Sequence, residues 1–202
     1  LALRPSLWAT LDALREAPLL GEGFGGWGAT GDAPYATWRD FLLAVNRDDP
    51  SSRSHGWRRK LKASAGGVAA FRAGYLKLAE LVESDPGGRW LVHSDLLNRN
   101  VFVADGCVQG VFDWGCSLYG DFLYDLAWID FWSPWYPAIE QTDWRTEMDQ
   151  HFARSGVAIP DQRARFDACA IHIGLSHLAY LAFHDQADDL AAVTARLERW
   201  LT

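Results

Sequence analysis

Arg89–Trp114, RWLVHSDLLNRNVFVADGCVQGVFDW, decides how the rest of the chain is read, because it places the carboxylates of Asp95 and Asp113, the amide of Asn100 and the imidazole of His93 in two strand-loop units. Arg89 to Val92 is a short apolar run, and the polar loop from His93 to Asn100 follows it. Val101-Phe102-Val103 resumes an extended pattern, Asp105-Gly106 is a two-residue hairpin signal, and Val108 to Phe112 returns to deliver Asp113. Asp95, Asn100 and Asp113 therefore stand at strand ends with their side-chain oxygens available for chemistry.

On both sides of this stretch the apolar residues recur at helical spacing. Pro5 sits where a first turn tolerates it, and Leu7, Leu11 and Leu14 share a face, so Leu1 to Glu16 ends in an amphipathic helix. Thr37, with Asp40 three residues on, predicts a helix start, and Trp38, Phe41, Leu42 and Val45 form its apolar side. One long helix is expected next, with Trp57, Leu61, Ser64, Val68, Phe71, Tyr75, Leu78 and Val82 in a core-facing stripe. Gly66-Gly67 marks a kink or a close helix crossing within it, and Asp85-Pro86-Gly87-Gly88 stops it. Downstream, helices are expected over Asp121 to Trp132, Ala138 to Arg154, Asp161 to Phe183 and Ala187 to Leu201. Strands are expected only around Arg89–Trp114. The fold class is thus α+β, mostly helical, with a small β hairpin or sheet at the loop that carries Asp95.

Composition bounds the function. With 202 residues, 49% of them apolar, the chain forms one domain or one large lobe with a real core. A formal net charge of −7 argues against nucleic-acid binding, which demands clustered Lys and Arg, and suits a small cationic partner. The three cysteines, Cys107, Cys116 and Cys169, lack any metal or disulfide spacing, which points to a reducing, cytoplasmic compartment. Apolar runs are interrupted before the length of a membrane span, so no membrane partner is expected. Most of the eleven tryptophans are read as core filling, with a few free to line a pocket.

Gly21-Glu22-Gly23-Phe24-Gly25-Gly26 matches G-x-G-x-x-G but is rejected as a nucleotide loop. Such loops follow a strand, and a kinase loop is followed by a lysine-bearing strand; here a helix precedes and the next lysines are Lys60 and Lys62. His172 and His177 lack the carboxylate of a zinc helix and are read as core or surface histidines.

The chemistry that needs Asp95, Asn100 and Asp113 at this spacing is phosphoryl transfer, in which catalysis is mostly positioning and charge neutralisation around Mg²⁺. Asp95 is expected to accept the proton of the attacking hydroxyl. Asn100 and Asp113 are expected to be oxygen ligands of Mg²⁺ bridging the phosphates of ATP.

The pattern His93-x-Asp95-x-x-x-x-Asn100, followed by Asp113-Trp114-Gly115, resembles the aminoglycoside phosphotransferases, enzymes with a protein-kinase-like fold. Gly120-Asp121-Phe122-Leu123-Tyr124-Asp125-Leu126-Ala127 looks like the helix-opening segment of that family. Gly23-Phe24-Gly25, Tyr35 to Phe41 and Phe131-Trp132-Ser133-Pro134-Trp135 are similar to segments of its hygromycin-directed members, so the resemblance spans Gly23 to Trp135. It implies that residues 1–202 are the C-terminal catalytic and substrate-binding lobe, with the nucleotide lobe outside the chain. It also implies an antibiotic-resistance kinase that transfers phosphate from ATP, with Mg²⁺, to a hydroxyl of an aminoglycoside or aminocyclitol.

In that frame His93, Arg99 and Asp125 support the catalytic loop, His93 as a hydrogen-bonding organiser and Asp125 as an anchor. Leu97 stands where protein kinases often carry lysine, and Arg99 is the nearest replacement for its charge. Asp130 and Glu140, with the faces of Trp132 and Trp135, are the candidates for holding a cationic acceptor. Asp121 is read as a helix cap in preference to a substrate contact. Two alternatives stay open: a kinase of another small hydroxyl metabolite such as choline, homoserine or a macrolide sugar, and a binding lobe without turnover.

Overall fold

The structure is a computed structural model that describes residues 3–64, 66–83 and 88–201. Helix α1 (Arg4–Glu16) carries Pro5 in its first turn and buries Trp8 and Leu14. A two-residue strand β1 (Gly25–Gly26) follows, and Phe24 bridges to Tyr35 across the intervening loop. Helix α2 (Trp38–Leu43) starts where the sequence predicts: Thr37 Oγ1 accepts the Asp40 N–H at 3.0 Å, satisfying one of the orphaned donors of the first turn.

The long helix expected from Trp57 to Val82 is instead two helices, α3 (Trp57–Leu61) and α4 (Gly67–Leu81). Gly66 breaks the run with a φ of 77°, a conformation that costs a residue with a Cβ, so the apolar stripe continues while the backbone does not. Trp57 and Phe71 still meet across the break with ring centroids 4.9 Å apart. The close helix crossing lies further on, where a Cβ at Gly74 would sit 3.0 Å from Leu175. Most of the expected stop signal, residues 85–87, lies outside the described residues.

Strand β2 (Trp90–Val92) leads into the loop from His93 to Asn100, and β3 (Val101–Ala104) and β4 (Cys107–Val111) form the expected hairpin. Asp105 and Gly106 turn it with φ of 52° and 73°, the paired positive values of a tight hairpin turn. Strand β5 (Leu118–Gly120) then lies antiparallel between β1 and β2, in the order β1-β5-β2. The strands are therefore not confined to Arg89–Trp114: the Gly21–Gly26 segment contributes an edge. Arg89 fixes it there by donating to the carbonyl oxygens of Gly23 at 3.1 Å and Gly21 at 2.6 Å.

Helices α5 (Leu123–Trp132), α6 (Trp144–Ser155), α7 (Gln162–Phe183) and α8 (Ala187–Glu198) complete the chain. Helix α6 starts six residues later than expected, capped by Asp143, whose carboxylate accepts the Thr146 N–H at 3.1 Å. By length and apolarity α7 could cross a membrane, but 67% of its apolar window is buried under α3, α4, α5 and α8. It is the axis of the core, which explains why its residues are apolar on all sides.

Candidate active site

The loop from His93 to Asn100 is pinned from behind by α5 and from the front by the hairpin exit. Asp125, buried in the first turn of α5, accepts the backbone N–H groups of His93 at 2.9 Å and Ser94 at 2.7 Å. Those bonds hold Ser94 at a φ of 58°, a strained value that the loop needs to reverse. Burial pushes the Asp125 carboxyl up to about 6, against the pull of the two N–H donors.

In front, His93 is fully buried. Its Nε2 bonds the Phe112 carbonyl oxygen at 2.7 Å, so the proton sits on Nε2, and Nδ1 accepts the Asp95 N–H at 3.3 Å. With the Trp114 ring 4.8 Å away at 65°, this histidine is held through both nitrogens and one ring contact between the loop and the hairpin exit.

Asp95 is half-buried. Asn100 donates its amide to the Asp95 carboxylate at 2.9 Å and to the Asp95 carbonyl at 2.8 Å. Burial raises the Asp95 pKa; the nearby Asp113 charge adds to that, while the Asn100 bond and His93 oppose it. The hairpin register pairs Val101 with Val111, and the Phe112 N–H reaches the Asn100 carbonyl at 2.8 Å, so Asn100 and Asp113 flank one open end of the hairpin.

Asp113 is exposed with a φ of 55°, which turns the chain into the short helical turn Trp114–Cys116. Among the described residues no group of three His, Cys, Asp or Glu side chains forms a metal cage. The donor set instead pairs one exposed carboxylate with Asn100, whose amide nitrogen is committed to Asp95 and whose oxygen is left over. Two hard oxygens beside open solvent fit Mg²⁺, which keeps several waters and phosphate oxygens in its shell.

Asp95 opens into a pocket of about 460 Å³ lined by Leu97, Arg99, Asn100, Trp128, Trp132, Tyr136 and His177. Of the four residues proposed from sequence to hold an acceptor, only Trp132 lines it. Trp135 packs on Trp132 at 5.1 Å and remains 40% exposed beyond the rim. Asp130 turns to α8, where Arg196 bonds its backbone carbonyl at 2.6 Å and its carboxylate at 3.4 Å. Glu140 is exposed and lies outside the lining.

Three lining residues were missed. Trp128 was legible in principle, lying four residues before Trp132 on the same helical face. Tyr136 and His177 carry no local signal. Asp121 does cap α5, accepting the Leu123 N–H at 3.0 Å, and it also receives both arms of the buried Arg165 at 2.8 and 2.9 Å. That ion pair joins α7 to the start of α5 and has no signature in either segment.

A mostly helical fold that presents a held aspartate, an asparagine and a second aspartate at the end of a hairpin has the architecture of the kinase-like phosphotransferases. Residues 3–169 match the phosphotransferase enzyme family, and the chain belongs to it. It is 31% identical over 189 residues to the hygromycin-B 4-O-kinase of Escherichia coli, a match covering 93% of this chain and 52% of that protein. Among solved structures it is similar to aminoglycoside phosphotransferase APH(4)-Ia, with a TM-score of 0.81 and 28% identity, over 99% of this chain and 64% of that one. A thermostable mutant of APH(4)-Ia in a ternary complex with AMP-PNP and hygromycin B superposes equally well, with a TM-score of 0.81 and 27% identity. The chain thus spans about half the length of the curated relative it matches.

Proposed function

We propose that residues 1–202 form the catalytic and acceptor-binding lobe of an ATP-dependent kinase that phosphorylates a hydroxyl of a hygromycin-like aminocyclitol antibiotic. The observation that carries this reading is the Asp95 carboxylate, held by Asn100 and opening into an aromatic pocket large enough for a sugar ring. Relatives that bind AMP-PNP and hygromycin B support it. The covering of the ATP phosphates belongs to a second, nucleotide-binding lobe.

An acceptor hydroxyl in the pocket donates its hydrogen to Asp95. As its oxygen bonds to the γ-phosphorus and the bond to the bridging oxygen of ADP breaks, the proton passes to the Asp95 carboxylate. Asn100 keeps that carboxylate aimed, and a pKa raised by burial makes it a better proton acceptor. Asp113 and the Asn100 side-chain oxygen would hold Mg²⁺, which would supply charge neutralisation to the phosphates. Arg99, exposed on the pocket lining, stands where a cation can face the transferred phosphoryl group.

The test is phosphate transfer from ATP to hygromycin B by an enzyme that contains this lobe. Formation of a phosphorylated antibiotic that disappears in Asp95→Asn supports the reading; transfer to choline or homoserine in preference to hygromycin B overturns it.

A further inference from the structure

We propose that His177 is a positioning residue of the acceptor pocket, and that its Nε2 accepts a hydrogen bond from a hydroxyl of a polyhydroxylated ring lying against Trp128 and Trp132. This rests on the proposed function and names a contact on the side of the pocket formed by α7.

The tautomer is fixed by the helix. His177 Nδ1 lies 2.9 Å from the carbonyl oxygen of Ile173, one turn earlier, so Nδ1 must carry the hydrogen and Nε2 the lone pair. Within the described residues nothing bonds to Nε2, and the residue lines the pocket that Asp95 opens into. Burial lowers the pKa of the ring, so it stays a neutral acceptor at physiological pH.

Its orientation is fixed by two indoles, Trp128 at 5.2 Å and 62° and Trp132 at 4.7 Å and 76°. Both indole N–H groups are buried without an oxygen or nitrogen partner, so the two rings meet the imidazole as apolar walls. A core histidine would have both nitrogens satisfied or enclosed. This one is held by the Ile173 carbonyl and two indoles, and it lines the cavity with one ring nitrogen left without a bond.

A neutral acceptor between aromatic walls selects a ring bearing hydroxyl donors, because a ligand without a donor there would desolvate Nε2 with no replacement bond.

The experiment is calorimetry on the 202-residue chain with hygromycin B as probe. His177→Phe keeps the ring volume and removes the lone pair; binding should weaken about tenfold with the melting temperature preserved. His177→Gln, whose amide oxygen can accept, should recover part of the loss. Nitrogen NMR of the wild-type chain gives a readout independent of any variant: the His177 Nε2 resonance should shift on addition of hygromycin B while Nδ1 stays in place. Equal affinities of wild type and His177→Phe, or an Nε2 resonance that does not move on saturation, overturn the assignment and leave the kinase reading intact. If the wild-type chain does not bind hygromycin B at all, the kinase reading fails and this inference falls with it.

Discussion

Asn100 gives both hydrogens of one side-chain amide to Asp95, one to its carboxylate at 2.9 Å and one to its main-chain carbonyl at 2.8 Å. The residue proposed to hold the metal is thus the same residue that aims the base. In an enzyme containing this lobe, Asp95→Asn should keep the fold and lower kcat by about 10²–10⁴-fold, the worth of a positioned general base. Turnover within twofold of wild type would remove Asp95 from that role.

Asp113→Ala and Asn100→Ala should then differ in kind. Asp113 makes no hydrogen bond that holds Asp95, so its loss should raise the Mg²⁺ concentration for half-maximal activity, and excess Mg²⁺ should restore part of the rate. Asn100→Ala also frees the Asp95 carboxylate, so excess Mg²⁺ should leave a deficit in kcat. Identical Mg²⁺ titrations for both variants and wild type would refute the ligand assignment.

Asp130 is expected to matter for stability and not for acceptor binding. Its carboxylate and Arg196 are mostly buried against each other, with side-chain exposures of 14% and 13%. Asp130→Asn leaves the guanidinium without its counter-charge and should cost about 1–3 kcal/mol in chemical denaturation. Hygromycin B affinity measured below the transition should be unchanged; a loss of affinity that shrinks with added salt would return Asp130 to the pocket.

How much of this was legible follows the range of the interactions. The hairpin, the Thr37 cap and the spacing of Asp95, Asn100 and Asp113 are set by neighbours a few residues apart, and all were readable. The division of the Trp57–Val82 run was not, because the apolar stripe runs through Gly66 even though the backbone turns there. Asp130 was assigned from its type and place beside Trp132, yet its partner is 66 residues away on α8. His177 was read as an ordinary helix histidine because only the packing of α7 beside α5 brings it to Trp128 and Trp132. Long-range pairing decided the pocket, and periodicity has no access to it.

Asp125 should give the protein a stability term that weakens as pH rises. Its folded pKa, about 6, lies above the ordinary 3.8, so between those values the native state binds more protons than the unfolded chain. The contribution is full below about pH 4 and is lost by about pH 6, up to about 3 kcal/mol at 1.36 kcal/mol per unit. Asp125→Asn cannot titrate, so the stability of wild type relative to this variant should decline over that window. A difference that stays constant from pH 4 to 7 would mean that the carboxylate ionises freely where it sits.

His172 should act in the opposite direction and dominate at acid pH. Its ring is buried between Tyr124 and Phe41, with Nδ1 3.0 Å from the Tyr124 hydroxyl, and burial drives its pKa down to about 3. The unfolded chain takes up a proton near 6.5 that the native ring refuses, so below that pH the unfolded state binds more protons and stability falls. The loss should run at about 1.4 kcal/mol per pH unit from about 6.5 towards 3, larger than the opposing gain from Asp125. His172→Asn retains an acceptor near the Nδ1 position for Tyr124 and has nothing to protonate. Measured by urea denaturation, the variant should therefore be the less stable form at pH 7.5 and gain on wild type with each unit of acidification. Parallel stability curves for the two proteins from pH 7.5 to 4.5 would show that the ring finds solvent or a counter-charge, and that the core around α7 opens more readily than its packing indicates.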